Sequence, residues 1–184
     1  MKFFILVQFA WFAAIALDLP TTHEYECTAV QNYYWRDYTF NWVPHDAIKA
    51  AEDVFIGQVY YEESILPASI YKHEAITEMR GKRVITERVK ILCDTDPDRF
   101  YWVEIDYRNT DDVLKGYTDY AIQGGYQDGY ATYIGRALHE GQWKVGKVVP
   151  KEIPTSGLQV WDKDGNCAII PDFEILKYKA GCVY

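Results

Sequence analysis

Residues 124–150, GGYQDGYATYIGRALHEGQWKVGKVVP, decide the fold class of this chain. Apolar and polar residues alternate along the stretch, which is the two-residue period of a β-strand. Turn glycines interrupt the alternation, among them the Asp128-Gly129 pair, a common hairpin closure. We therefore predict two β-hairpins that meet at a polar pocket.

Strand signals run through the remaining sequence, and no segment sustains the apolar period of a helix. The one helix candidate is residues 46–53, downstream of Pro44. Strands are predicted at residues 32–43, 54–61, 76–85 with a turn at Arg80-Gly81, 88–92, 101–107, 158–161, 167–170 and 173–178. The predicted fold class is all-β.

An earlier part of the chain repeats the pattern of residues 124–150 in degenerate form. Matching positions are 78 residues apart before an insertion near residues 152–157 and 84 residues apart after it. The matches include Gly57 with Gly135, Glu62 with Glu140, Gly81 with Gly165, Ile85 with Ile169 and, after a short deletion, Ala47 with Ala121. We predict two tandem antiparallel β repeats, the first repeat at residues 42–100 and the second repeat at residues 101–184. Only the second repeat keeps the polar turn residues, so we expect a binding site there.

Residues 1–16, MKFFILVQFAWFAAIA, are predicted to be a secretory signal peptide. Lys2 precedes an apolar run too short to span a bilayer, and Ala14-Ile15-Ala16 fits the small-residue cleavage pattern. The alternative is a membrane anchor. No later stretch is apolar enough to span a membrane, so we expect a secreted, extracellular protein in which residues 17–41 form an N-terminal segment.

The cysteines that follow the signal peptide are Cys27, Cys93, Cys167 and Cys182. An even number in an oxidising compartment predicts two disulfides, with three possible connectivities. Cys27 and Cys182 lie near the two ends, where one bridge would hold both termini. The wide spacings, without a Cys-x-x-Cys pair, argue against a zinc site.

The net charge of the chain and the motifs that it lacks argue against several classes of function. The formal net charge of −8 argues against nucleic acid as a partner, because phosphates require a basic face. The sequence has no nucleotide-cofactor, nucleophile-elbow or zinc-protease motif, and its four histidines are scattered. We therefore expect no catalytic residue, no metal and no cofactor. The many tyrosines and tryptophans suit the core of a β protein, and also sugar or protein surfaces.

The motifs of the second repeat resemble the DM-nine repeat family. They are a Gly-Gly pair, an acidic-glycine turn, Tyr-Ile-Gly-Arg-Ala, His-Glu-Gly, Gly-Lys-Val-Val-Pro and a Phe-Glu-Ile-Leu strand. The residues that carry the resemblance are Gly124, Gly125, Asp128, Gly129, Tyr133, Ile134, Gly135, Arg136, Ala137, His139, Glu140, Gly141, Gly146, Lys147, Val148, Pro150, Glu174 and Leu176. The match is specific in the second repeat and weaker in the first.

The resemblance implies an all-β protein of two repeats that pack with pseudo-twofold symmetry. It also implies carbohydrate binding, with mannose-type recognition in members acting in innate immunity. In those members an acidic residue of the Gly-Gly turn and the lysine of the Gly-Lys-Val segment contact the sugar. Lys147 matches that lysine. The Gly-Gly turn is one residue shorter here, so Tyr126-Gln127 replaces the usual acidic position and Asp128 is the remaining carboxylate.

The candidate ligand-binding residues are Lys147, Asp128, Gln127, Arg136 and Glu140. Their polar groups can hydrogen-bond to vicinal sugar hydroxyls, and Trp143 or Tyr126 can supply an aromatic face. A lysine inside an apolar strand, such as Lys147, is also unusual. The alternative is that Arg136 and Glu140 form a structural salt bridge and that Asp128-Gly129 is only a turn.

Three functions remain open from the sequence. The first is secreted binding of a carbohydrate or glycoconjugate, in which homo-oligomerisation would raise the avidity of weak single sites. The second is an extracellular protein-interaction or structural module without a working sugar site. The third is a small-molecule methyltransferase, because many members of the resembling family carry a farnesoic acid O-methyltransferase label, although the sequence shows no site for its cofactor.

Overall fold

The computed structural model describes residues 28–106, 118–149 and 157–183. Within them the protein has sixteen β-strands and one turn of 3-10 helix, Pro97–Arg99. The strands are β1 (Thr28–Val30), β2 (Tyr34–Tyr38), β3 (Lys49–Ala51), β4 (Val54–Tyr61), β5 (Ser64–Ile70), β6 (Ala75–Glu78), β7 (Lys82–Ile85), β8 (Val89–Cys93), β9 (Phe100–Asp106), β10 (Gln123–Gln127), β11 (Tyr130–His139), β12 (Gln142–Val148), β13 (Leu158–Trp161), β14 (Cys167–Ile170), β15 (Asp172–Tyr178) and β16 (Gly181–Val183). The predicted all-β class is confirmed, and the predicted signal peptide lies outside the described residues.

The strands form one large antiparallel sheet and one short ribbon. Fourteen strands belong to the large sheet, whose main path runs β14-β13-β12-β11-β10-β5-β4-β8-β2, while β1 pairs with β16. Strands β10 and β5 are joined at one residue pair, Tyr126 and Ile65. That pair is where the sheet passes from the first repeat to the second.

Backbone contacts of the first repeat recur in the second at the offsets read from the sequence. Strand β4 pairs with β5 and β8, as β11 pairs with β12 and β15. The recurring contacts include the bridges Ala47–Cys93 and Ala121–Lys177, the bonds from Ile48 N to Leu92 O and from Ile122 N to Leu176 O, and the bonds from Ile56 N to Ile48 O and from Ile134 N to Ile122 O. This recurrence is what an internal duplication produces. The pseudo-twofold axis and the predicted repeat boundaries stay predictions.

Matching positions of both repeats share the central core. One cluster contains Ile56 with its counterpart Ile134, Leu92 with Leu176, and Ile48 with Ile122. All of these side chains are at most 5% exposed. Because burial of apolar surface is the main favourable contribution to folding, the shared cluster holds the two repeats together.

Two hairpin turns at matching positions also touch. Gly81 lies in the turn between β6 and β7, and Gly165 lies in the turn between β13 and β14, with φ angles of 108° and 84°. A Cβ on Gly81 would lie 2.7 Å from the Gly165 carbonyl oxygen, which accepts a hydrogen bond from Lys82 N–H at 2.8 Å. Gly81 must be glycine because both its backbone conformation and this close approach exclude a side chain.

The predicted helix at residues 46–53 is wrong. The chain there forms an isolated bridge at Ala47 and the short strand β3. Ile48 N–H donates to Leu92 O at 2.9 Å, and Asp94 N–H donates to Asp46 O at 3.0 Å. These partners are distant in the sequence, so tertiary pairing overrides the local preference.

Strand β5 lacks a sequence signal, because Pro67 at its centre argues against a strand. Pro67 lies opposite Gln58 of β4. On the other side, β10 pairs with β5 only at Ile65. Among the described strands, no ladder on that side requires the N–H that proline lacks. The strand predicted at residues 32–43 is also shorter, since β2 ends at Tyr38.

Two of the four cysteines are free thiols, Cys93 and Cys167. The prediction of two disulfides is therefore wrong for these two residues. Cys93 is buried beside Asp46, whereas Cys167 lies beside Glu78, so their environments differ. Cys27 lies outside the described residues, and the Cys27–Cys182 bridge stays a prediction. The described residues contain no helix long and apolar enough to cross a bilayer.

Candidate functional site

Lys147 is the centre of a buried polar contact between the two repeats. It lies in β12 opposite Ile134 and Gln159, and its side chain is 4% exposed. Its Nζ lies 2.9 Å from Glu78 Oε2 and donates to the Glu78 carbonyl oxygen at 3.2 Å and to Gln127 Oε1 at 2.7 Å. The Glu78 carbonyl oxygen and Gln127 Oε1 thus accept hydrogen bonds from the ammonium group, and the Glu78 carboxylate compensates its charge.

Gln127 and Asp128 extend this contact to the surface. Gln127 Nε2 donates to Asp128 Oδ2 at 3.1 Å. Asp128 and Gly129 have φ angles of 51° and 86°, which gives the tight turn that pairs Gln127 with Tyr130. Asp128 is exposed, and Tyr130 is 41% exposed. The structure thus brings together three of the five predicted site residues, Lys147, Gln127 and Asp128.

Arg136 lies apart from this contact, and its charged group is bound by other residues of the protein. Its Nε lies 2.7 Å from Glu174 Oε2, its Nη2 lies 3.1 Å from Glu174 Oε1, and its Nη1 donates to Ala50 O. The ring centroids of Trp102 and Trp143 lie 4.2 Å and 4.8 Å from its Cζ. A two-point ion pair and two aromatic faces therefore fix the guanidinium. The Trp143 ring therefore packs against Arg136 and does not supply an aromatic face to the Lys147 site.

Glu140 is separate from both groups. It lies in the turn between β11 and β12, with its Oε2 3.3 Å from Lys144 Nζ and 3.8 Å from His139 Nε2. The predicted alternative of an Arg136–Glu140 salt bridge is wrong. Arg136 pairs with Glu174 on β15, whereas Glu140 pairs with Lys144 on β12.

A cleft of about 350 Å³ opens beside Arg136. Glu104 faces Glu174, and Asp106 faces Asp172, across the paired strands β9 and β15. Leu138 and Trp143 belong to the same lining. Acidic and apolar groups thus share this cleft, and Arg136 supplies the counter-charge for Glu174. In the described part of the chain, no three His, Cys, Asp or Glu side chains form a group able to hold a metal ion.

Glu78 belongs to the site but was not predicted from the sequence. It is 3% exposed, and its Oε1 accepts a hydrogen bond from Gly81 N–H at 3.0 Å. Its counterpart in the second repeat, Asp162, accepts from the N–H groups of Asp164 and Asn166 in the same way. A carboxylate stands at the start of both matching turns, and this shared position is the sequence signal that could have identified Glu78. Its contact with Lys147 joins residues 69 positions apart, which no local pattern reveals.

The Cys167 thiol also lies against Glu78. Desolvation of the sulfur, followed by the negative charge of Glu78, raises the pKa of Cys167 from 9.0 to about 11 although the residue as a whole is exposed. The thiol is therefore protonated at neutral pH and is a poor nucleophile. The site offers hydrogen bonding and fixed charge for ligand binding.

In the described residues every strand pair is antiparallel, and the pairing of β4 with β5 and β8 recurs in the pairing of β11 with β12 and β15. The Lys147–Glu78 ion pair joins these two groups of strands. The chain belongs to the DM9 repeat family, because the model of that repeat matches residues 49–154, more than half of the chain. The resemblance seen in the sequence is thus confirmed. A search of curated proteins gave no match.

Among solved structures, the crystal structure of the nematode sperm cell motility protein MFP2B is similar, with a TM-score of 0.59 and 11% sequence identity. The matched region covers 83% of this chain and 45% of that chain. This chain therefore spans less than half the length of MFP2B. At this identity the likeness shows a shared fold.

Proposed function

We propose that this protein is a secreted, non-catalytic carbohydrate-binding protein whose site is the turn after β10. The observation that carries the proposal is the hydrogen bond from the buried Lys147 ammonium to Gln127 Oε1 at 2.7 Å. That bond fixes a planar amide at the protein surface beside the exposed Asp128 carboxylate. A planar amide and a carboxylate side by side suit the paired hydroxyls of a sugar ring.

Lys147 acts in this proposal as a positioning residue. Its ammonium group is buried and donates to Glu78 and Gln127, so it orients the Gln127 amide instead of contacting sugar. Asp128 supplies the acceptor, and the Tyr130 ring on the paired strand supplies an aromatic face. Binding is reversible, with no bond made or broken.

The burial of Lys147 supports a second candidate, an extracellular protein-interaction module without a sugar site. A buried lysine that is paired with Glu78 and bonded to Gln127 is sufficient to join two repeats. Under this candidate, Gln127 and Asp128 only close a hairpin.

Retention on immobilised mannan and other polysaccharides separates the two candidates. Asp128→Ala and Gln127→Ala should each weaken retention by about tenfold or more, because hydrogen bonds to charged groups are among the stronger ones. Asp164→Ala is the matched control, since Asp164 is an exposed aspartate in the hairpin turn between β13 and β14. Free sugar should compete with the matrix. Retention on no matrix by the folded protein would leave the interaction module as the better account.

A further inference from the structure

We propose that two copies of this chain associate through β14, so that the large sheet continues from one copy into the other. Strand β14 pairs with β13 on one side, and no described strand pairs with its other side. A free strand edge presents backbone N–H and C=O groups that can bond to a second strand. The β14 edge, Cys167–Ile170, is therefore the interaction surface, and its partner is a second copy of the same chain.

Strand β14 differs from the other edge strands by having no charged side chain. Among the described strands of the large sheet, those that pair on one side only are β2, β3, β7, β9 and β14. Charged side chains on an edge strand discourage pairing with another chain. The charged residues of the other edge strands are Arg36 and Asp37 in β2, Lys49 in β3, Lys82 and Arg83 in β7, and Glu104 and Asp106 in β9.

The first repeat has the matching edge in a protected form. Strand β7 occupies the position of β14 when the chain is shifted by the 84 residues that relate the repeats. At that offset Arg83 corresponds to Cys167, so the second repeat has lost a basic residue at its edge. The difference between the repeats lies at the position where it opens β14 to pairing.

The hydrogen bonds of the β13–β14 hairpin fix which backbone groups of β14 face outward. Asp162 N–H donates to Asn166 O at 2.9 Å across the turn. Bonded and non-bonded residue pairs alternate along an antiparallel ladder, so two residues further on Ala168 bonds to β13. Its neighbours Cys167 and Ile169 therefore turn their N–H and C=O groups toward the free edge.

A separate contact agrees with this alternation. Trp161 lies opposite Cys167, and its carbonyl oxygen accepts a hydrogen bond from Lys144 Nζ of β12 at 2.6 Å. A carbonyl that bonds to β12 is turned away from β14. This orientation is the one required of a non-bonded pair, so the outward direction of the Cys167 backbone follows from two observations.

The side chains of β14 also leave an apolar surface on one face. Ala168 and Ile170 pack against the core. Cys167 and Ile169 alternate with them and project to the other face, where Cys167 is exposed and Ile169 is 45% exposed. Pairing with another strand would cover part of both side chains.

This edge is complementary to itself. With Ala168 of the two copies face to face on a twofold axis, Cys167 of one copy lies opposite Ile169 of the other, and each outward N–H meets an outward C=O. The formal net charge of −8 makes two copies repel each other, and an uncharged edge is where they can approach most closely. Since the strand has only four residues, we expect a weak dimer in the micromolar range.

Dimerisation would also make the proposed sugar site bivalent. The turn between β10 and β11 is separated from β14 by β12 and β13, so a second copy on the β14 edge does not pair with the strands that carry the site. Two linked sites hold a polysaccharide more strongly than one. This consequence rests on the proposed function, whereas the dimer itself does not.

Sedimentation velocity of the full chain over a range of protein concentrations tests the dimer. Ile169→Lys should raise the dimer dissociation constant by tenfold or more, because it places a charge on the pairing edge. Ile169→Pro should do the same, and it should leave the monomer folded because the lost N–H faces away from β13. Val84→Lys is the control, since Val84 is 50% exposed on β7, the matching edge strand.

The thiol provides a further check on the register. Facing Ile169 of the other copy, Cys167 forms no bond between sulfurs, so the dimer should persist in reducing agent and in Cys167→Ser. Alkylation of Cys167 should slow as the protein concentration rises. A dimer that disappears in reducing agent and in Cys167→Ser would be a disulfide-linked dimer and would refute pairing in this register.

Other results would overturn the inference without touching the sugar site. A chain that stays monomeric at all concentrations refutes it, as does a dimer that Ile169→Lys and Ile169→Pro leave unchanged. Gln127→Ala should leave the dimer intact, whereas Ile169→Lys should lower polysaccharide retention by about tenfold and leave single-sugar affinity unchanged. If the protein dimerises through β14 but retains no glycan, the dimer stands and the proposed function fails.

Discussion

Lys147 of the second repeat and Glu78 of the first repeat form a buried ion pair, with Nζ and Oε2 2.9 Å apart and side-chain exposures of 4% and 3%. Each charge is removed from water and depends on the other for compensation. The pair therefore joins the repeats and at the same time positions the Gln127 amide. A residue expected from its sequence to touch sugar is thus also a structural residue.

Replacing Lys147 with methionine should lower the free energy of unfolding by about 3–5 kcal/mol, because the Glu78 carboxylate would remain buried without its partner. Urea unfolding measures this loss. The double variant Lys147→Met, Glu78→Met should recover most of it, since neither charge then remains. Lys90→Met is the control, because the Lys90–Asp37 pair is largely exposed, and its loss should be below about 1 kcal/mol. A Lys147→Met variant as stable as the native protein would contradict this account of the pair.

Replacing Arg136 with lysine should destabilise the protein by about 2 kcal/mol despite the conserved charge. Lysine cannot reproduce the two-point contact with Glu174 or the stacking between Trp102 and Trp143. Thermal unfolding gives the stability, and tryptophan fluorescence reports the change around both rings. Polysaccharide retention should survive at a temperature where the variant is folded. Its loss under those conditions would mean that the Arg136 cleft takes part in binding.

Gly125→Ala should be strongly destabilising, by about 3 kcal/mol or more. A Cβ at this position would lie 1.9 Å from the Ile65 carbonyl oxygen, at the single point where β10 meets β5. Gly129→Ala is the matched control, since nothing lies within 4 Å of a Cβ there and only its φ of 86° disfavours alanine. That control should cost about 1 kcal/mol. Equal losses for the two variants in urea unfolding would show that the β5–β10 junction tolerates widening.

Stability should fall as the pH rises above about 9. Burial, followed by the nearby Asp46 charge, raises the pKa of Cys93 from 9.0 to about 11, and burial raises the pKa of Tyr71 from 10.0 to about 12. The unfolded chain therefore loses these protons first, so the stabilisation is full below pH 9 and declines until the folded groups ionise. Urea unfolding from pH 7 to 11 measures the slope. Cys93→Ala should reduce it, and a slope unaffected by that substitution would exclude Cys93 as a cause.

The sequence predicts some elements well because their signals are local. The strand predicted at residues 54–61 and those flanking the Asp-Gly turn, at 158–161 and 167–170, agree with β4, β13 and β14. Tight turns and alternating apolar residues act over a few positions, so a window of sequence contains them. Strand β5 was missed because Pro67 at its centre argues against a strand, and the bridge at Ala47 was missed because its partner, Cys93, is distant in the sequence.

In the candidate site, too, the sequence predicted some contacts and missed others. Sequence placed Lys147, Gln127 and Asp128 in one candidate site, and the structure joins them by hydrogen bonds. It also grouped Arg136 and Glu140 with them, because all five residues lie within residues 124–150. The structure holds Arg136 on β11 and Glu140 in the turn that follows it, each beside its own charged partner. Their true partners are Glu174 and Lys144.

By itself, the sequence determined the all-β class, the repeated pattern and its family. The alternation of apolar and polar residues, the turn residues and the internal matches can all be read from the order of residues. Only the tertiary structure decided that Glu78 compensates Lys147 and that the sheet passes from β5 to β10 at Ile65 and Tyr126. Both depend on strand pairing between the repeats, which brings residues distant in the chain into register. The physical reason is that apolar burial selects which strands pair, and that pairing then fixes the polar contacts.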